Sequence, residues 1–185
     1  MLQIVTDTIA NVLGLGICAA HAWSLRFHFN MPKMPPGVWI ITTLVIVSEV
    51  LLFFLCYWVR QPLAPQVIGI TLMCVSAVLF WWTIRETRAA KLRAAFDEYL
   101  PHCVLNTGPY AYVRHPFYLS YLLLWSGWGL ATWNIWGVVP LIAMGTTYWL
   151  AAREEEANFA KSEHAGEYAD YVRKTGRFLP KLVRS

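Results

Sequence analysis

Residues 38–59 read VWIITTLVIVSEVLLFFLCYWV, an unbroken apolar run with a single acid, Glu49. A run of this kind fixes what the chain can become, because a helix needs about 20 predominantly apolar residues to cross the hydrocarbon of a bilayer. Four further runs follow the same pattern, at 4–25, 63–84, 117–133 and 135–152. The first is the weakest, interrupted by Asp7, Asn11 and His21. The last two are separated by a few residues around Asn134, so they are expected to form a tight antiparallel hairpin. Only 14% of the chain is charged, against about 25% in an ordinary soluble domain. The expected fold class is therefore all-α: a single polytopic membrane domain over 1–185, with about five transmembrane helices and a C-terminal cytoplasmic amphipathic helix.

The charges set an expected orientation. With the N-terminus outside, segments 26–37, 85–116 and 153–185 lie inside, and they hold fourteen of the fifteen Lys and Arg residues; only Arg60 falls outside. Such asymmetry follows the positive-inside rule and suits anionic lipid headgroups, so the net charge of +4 is not read as a nucleic-acid footprint. No Lys or Arg precedes the first apolar run, which reads as a retained helix and not a signal peptide. Cys18, Cys56, Cys74 and Cys103 lack metal-type spacing, so no metal site is expected. Leu92, Phe96 and Tyr99 give an apolar stripe over 85–99, and Phe159, Tyr168, Tyr171 and Val172 give a second one that Gly176 closes.

Two short motifs flank the hairpin. The first is Gly108-Pro109-Tyr110-Ala111-Tyr112-Val113-Arg114-His115-Pro116-Phe117-Tyr118 and the second is Arg153-Glu154-Glu155-Glu156. Gly108-Pro109 is a turn signal, and Pro116 reads as a helix start with an extended residue before it. From Pro116 to Asn134 is about 27 Å of helix, and from Asn134 to Glu155 about 31 Å, at 1.5 Å per residue. The motifs thus return to one depth at the inner interface. There an Arg, a His, tyrosines, carboxylates and a helix N-terminus would suit a ligand that carries both a carboxylate and cationic groups.

These motifs, together with the tail EYADYVRKTGRFLP, resemble the isoprenylcysteine carboxyl methyltransferase family, whose pattern the related phospholipid N-methyltransferases share. The resemblance covers roughly residues 100–180, and Ser120 stands where that family often has glycine. It implies a multispanning enzyme that uses S-adenosylmethionine without a Rossmann domain. It further implies methyl transfer to a lipid-like or lipidated acceptor of the isoprenylcysteine carboxylate type, drawn from the bilayer at the cytoplasmic interface. By the same resemblance His115, Tyr118 and Tyr112 would line the cofactor pocket. The pair Glu155-Glu156 would hold the cofactor's amino group or ribose, and Arg114 and Arg153 would meet a substrate carboxylate or phosphate. An ionised carboxylate or thiolate acceptor needs no base; an amine or hydroxyl does, and Glu155, Glu156 or His115 are the candidates. The rival classes are a membrane NADPH-dependent reductase of similar helical framework and a non-enzymatic membrane scaffold. Outside the motifs, His21 reads as a packed or interfacial histidine and Glu49 as a structural carboxylate, either protonated or hydrogen-bonded within the bundle.

Overall fold

The computed structural model describes residues 1–25, 36–58, 60–90 and 104–181. Six α-helices account for most of them: α1 (Leu2–Trp23), α2 (Pro36–Trp58), α3 (Leu63–Ala90), α4 (Pro116–Thr132), α5 (Val138–Phe159) and α6 (Ala165–Lys174). Single 3₁₀ turns precede α4 and α5, at Gly108–Ala111 and Ile135–Gly137. Of the expected stripe over 85–99, α3 carries the first part to Ala90, whereas Leu92, Phe96 and Tyr99 lie outside the described residues, as do Cys103, Arg26 and Lys33. The chain is a polytopic all-α membrane protein: helices Leu2–Trp23, Gly37–Trp58, Leu63–Arg88 and Ile135–Phe159 are long and apolar enough to cross a bilayer.

α4 has 17 residues, about 26 Å of rise, and is shorter than the hydrocarbon core of about 30 Å. It is nonetheless the centre of the bundle, packing against α1, α2, α3 and α5. Leu124, Trp125, Trp128 and Ala131 of α4 are buried together with Ala10 of α1, Leu52 and Cys56 of α2, Met73 of α3 and Met144 of α5. The outer helices keep large apolar side chains on their outer faces, such as Ile40, Val78 and Ile142. Lipid accepts these faces, whereas water would not.

Close contact between α3 and α4 depends on small residues. A Cβ on Gly69 would lie 2.8 Å from the Ala131 nitrogen, and one on Gly127 would lie 2.9 Å from Met73 Cγ. Further along, Ser76 Oγ donates to the Ser120 carbonyl at 2.6 Å. Ser120 is fully buried and faces α3. Small residues and serine bonds of this kind hold helices together where lipid supplies no hydrophobic drive.

The polar residues that weaken α1 as a sequence turn inward. Gln66 Nε2 donates to Asp7 Oδ1 at 2.5 Å, Trp128 Nε1 donates to Asn11 Oδ1 at 3.0 Å, and Asn11 Nδ2 reaches the Phe53 carbonyl at 3.4 Å. Each joins α1 to a different helix. Glu49 of α2 lies beside Cys18 of α1.

Two chain reversals then set up one end of the bundle. Trp133 adopts a left-handed conformation (φ 45°) and ends α4, after which Asn134 Oδ1 accepts from the Trp136 N–H at 3.0 Å and starts the return. α5 runs through Arg153-Glu154-Glu155-Glu156 as continuous helix to Phe159. α6 folds back through Phe159 and Tyr168, whose rings stack at 4.6 Å, and the Tyr171 hydroxyl donates to the Tyr110 carbonyl at 2.7 Å. Its apolar stripe thus packs on Val104 and Phe159.

The α3–α4 crossing gives a direct test. Gly127→Val is expected to lower the thermal midpoint in detergent, with about 1–3 kcal/mol lost to overpacking. Gly16→Ala, at a position with open space, is expected to leave it unchanged or raise it slightly. Equal midpoints for parent and Gly127→Val would show that the crossing tolerates side chains.

Candidate functional site

His115-Pro116 decides how the chain enters α4. Proline is at the first helical position, and His115 before it is extended (φ −124°, ψ 65°). Residues 113–115 therefore run as a short extended segment, and the tail pairs alongside them. Val113 and Gly176 form a parallel bridge, the Arg114 N–H donates to the Gly176 carbonyl at 2.8 Å, and the His115 N–H donates to the Arg177 carbonyl at 3.2 Å. A Cβ at Gly176 would run into the Leu179 carbonyl, so glycine is what permits this turn. The result brings three distant segments together: the approach to α4, the last turns of α5 and the chain beyond α6.

Their side chains converge on Glu156. Its Oε1 accepts from Arg114 Nε at 3.0 Å, lies 3.0 Å from Arg114 Nη2 and 3.1 Å from His115 Nε2, and accepts from Arg177 Nε at 3.0 Å. Its Oε2 accepts from Arg177 Nη2 at 2.5 Å. A carboxylate offers about four lone-pair directions, so Glu156 is saturated. Arg114 also donates from Nη1 to the Thr175 carbonyl at 2.6 Å, and Arg177 lies 4.4 Å over the Trp149 ring. The Glu156 bonds raise the Arg177 pKa.

Glu155 is differently placed. It accepts from the Tyr118 hydroxyl at 2.5 Å on Oε1, and its Oε2 lies 3.1 Å from His115 Nδ1. These two partners leave lone pairs over, and 24% of its side chain is exposed. His115 thus stands between two carboxylates, one at each ring nitrogen. Only the imidazolium donates from both. Burial opposes that charge, but the hydrogen bonds and negative charge of Glu155 and Glu156 outweigh it and raise the His115 pKa above its ordinary value.

Aromatic rings line the side toward the bundle. Tyr118 stacks on His115 at 5.6 Å and on Tyr148 at 5.5 Å, and Phe178 and Trp149 lie behind, 6.1 Å apart.

Of the residues singled out in the sequence, the structure brings together Arg114, His115, Tyr118, Glu155 and Glu156. It does not bring Arg153 or Tyr112 to them. Arg153 is exposed on α5, about 200° around the helix from Glu155. Tyr112 is half exposed, its ring 6.5 Å from that of Trp82. Arg177 is the member that sequence reasoning missed. It lies 21 residues beyond Glu156, in a tail that carried the family resemblance but was given no site residue, and only the pairing of residues 176–177 with 114–115 delivers it.

The cluster therefore offers a partly open carboxylate, ring faces, guanidinium groups and the N-terminus of α4, a donor set that fits a zwitterion with cationic groups. Against known families, the model of the family described as PEMT, phospholipid methyltransferase, matches residues 64–164, more than half of the chain and including both motifs. The curated proteins contain no match to the chain.

The His115 bridge makes stability depend on pH with a definite sign. Its native pKa lies above the unfolded value of about 6.5, so its contribution is complete below about pH 6.5 and is lost as pH rises through the native value. The gap in thermal midpoint between parent and His115→Gln is expected to be widest in mild acid and to narrow toward alkaline pH. A gap that widens with pH would contradict the imidazolium.

Proposed function

This chain belongs to the phospholipid methyltransferase family, and from that premise we propose that it transfers methyl groups from S-adenosylmethionine to a lipid-like acceptor at the cytoplasmic interface of a membrane. The observation that carries the proposal is the contrast within the glutamate pair. Glu156 is saturated by Arg114, His115 and Arg177, whereas Glu155 is held by Tyr118 and His115 with acceptor capacity left. Glu155 would hold the cofactor's ammonium. The stacked faces of Tyr118 and Tyr148 suit a sulfonium, and Arg114 beside the positive end of the α4 dipole suits a carboxylate.

When bound, S-adenosylmethionine supplies an electrophilic methyl group on a sulfonium. The chain's residues then have to align donor and acceptor and keep water out. His115 and Glu156 position the two walls; they do not need to react. Arg153, exposed on α5 away from the cluster, would be free to meet a lipid phosphate, and Tyr112 and Trp82 would form a rim on the α3 side. The distribution of Lys and Arg supports an orientation with this end of the bundle inside the cell. Because the family match is to phospholipid methyltransferases, an amine headgroup is the leading acceptor, and a prenylated cysteine carboxylate is the second.

The test is binding and turnover on the purified full chain. Parent protein is expected to bind S-adenosylhomocysteine and not NADPH, and to move label from methyl-labelled S-adenosylmethionine into membrane lipid. Binding of NADPH alone would replace the proposal with a reductase.

A further inference from the structure

His21 closes the inner wall of the same end of the bundle. It sits in the last turn of α1, with its ring 4.3 Å from that of Tyr121 on α4 and 4.7 Å from that of Phe80 on α3. Its Nε2 is the one buried side-chain nitrogen or oxygen among the described residues without a hydrogen-bond partner. Leaving such an atom unpaired costs about 1–3 kcal/mol. Of its polar neighbours, Ser24 Oγ donates to the His21 carbonyl at 2.7 Å, and Trp125 Nε1 donates to the Tyr148 hydroxyl at 3.2 Å. A phenylalanine would fill the same space between two rings without the cost. A histidine kept there needs a use for its second nitrogen.

The surroundings indicate the use. Tyr121 lies 6.2 Å from Tyr118 and 5.3 Å from Tyr148, ring to ring, and Tyr118 bonds Glu155. A continuous aromatic wall therefore runs from Glu155 to His21 and ends on its buried, unpaired Nε2. The Tyr121 and Phe80 faces attract an organic cation, and an imidazole nitrogen takes a proton from one.

Resting on the methyl-transfer reading above, we infer that His21 is the acceptor-side residue: its Nε2 receives the proton of the amine that is methylated. A protonated amine has no lone pair with which to attack. Passing one N–H proton to Nε2 frees the pair, which forms the new nitrogen–carbon bond as the carbon–sulfur bond of the sulfonium breaks and its electrons stay on sulfur. The imidazolium then returns its proton to water at the interface, and the product leaves as a methylated ammonium.

The experiment pairs two measurements on the full chain. One is calorimetric binding of a short-chain phosphatidylethanolamine to protein saturated with S-adenosylhomocysteine. The other is label transfer from S-adenosylmethionine into vesicles containing phosphatidylethanolamine. His21→Ala is expected to keep S-adenosylhomocysteine affinity within about twofold, to weaken the short-chain lipid, and to lose at least about 100-fold in kcat. Added imidazole restores part of that kcat in His21→Ala but not in His21→Phe. His21→Gln, close in size and able to accept a hydrogen bond, keeps fold and lipid binding but not kcat. If His21→Ala or His21→Gln retains parental kcat while the parent binds and transfers, the inference is overturned and the methyl-transfer reading stands. A parent that binds S-adenosylhomocysteine yet labels no amine headgroup also overturns it, since an ionised carboxylate acceptor needs no base. A parent that binds no S-adenosylhomocysteine overturns both.

Discussion

One carboxylate organises the end of this molecule where the motifs meet. Glu156 is bonded to two guanidinium groups and an imidazole drawn from the approach to α4 and from the tail beyond α6. It is mostly buried, with 15% of its side chain exposed, so it lies where charge pairing is strong and an unpaired charge is expensive. Without it Arg114, His115 and Arg177 would face one another as like charges. With it, the extended segment 113–115 and residues 176–177 lie side by side, His115 is presented to Glu155, and Tyr118 is fixed against both. Because Glu156 is taken up in this way, the open carboxylate is its neighbour.

The bundle beneath supplies the rigidity that such a site requires. α4 carries His115 at its start and Tyr118 and Tyr121 in its first turns, and it is the helix that touches nearly all the others. Close approach at Gly69 and Gly127 locks it to α3, while Asn11 and Trp128 tie it to α1. The same packing lines up aromatic rings from α1, α3, α4 and α5 along one path. The site thus lies where buried helix gives way to polar tail.

Much of this was legible in the sequence. Apolar runs gave the helix starts to within about three residues, although α3 and α5 continue well past the apolar stretch to Ala90 and Phe159, and helix rise alone placed the two motifs at one depth. The polar residues that made α1 look weak proved to be its ties to the bundle, because a single apolar average does not show which face a residue takes. Within Arg153-Glu154-Glu155-Glu156 the rotation of 100° per residue decides which side chains reach the cluster, and that rotation is fixed only once α5 is known to run unbroken to Phe159. Arg177 had no local signal. Its place depends on a long-range backbone pairing that neither periodicity nor capping rules describe.

The division of labour between the two glutamates is the central claim, and paired substitutions test it most directly. Titration of S-adenosylhomocysteine into Glu155→Gln and Glu156→Gln, with a thermal melt of each, separates ligand contact from framework. The account predicts that Glu155→Gln weakens binding at least about tenfold, equivalent to about 1.4 kcal/mol, with a near-parental midpoint. Glu156→Gln is predicted to lose stability first, on the order of 3–5 kcal/mol as its cations are left uncompensated. A stable Glu156→Gln protein that has lost only ligand affinity, beside a Glu155→Gln protein that binds like the parent, would contradict it.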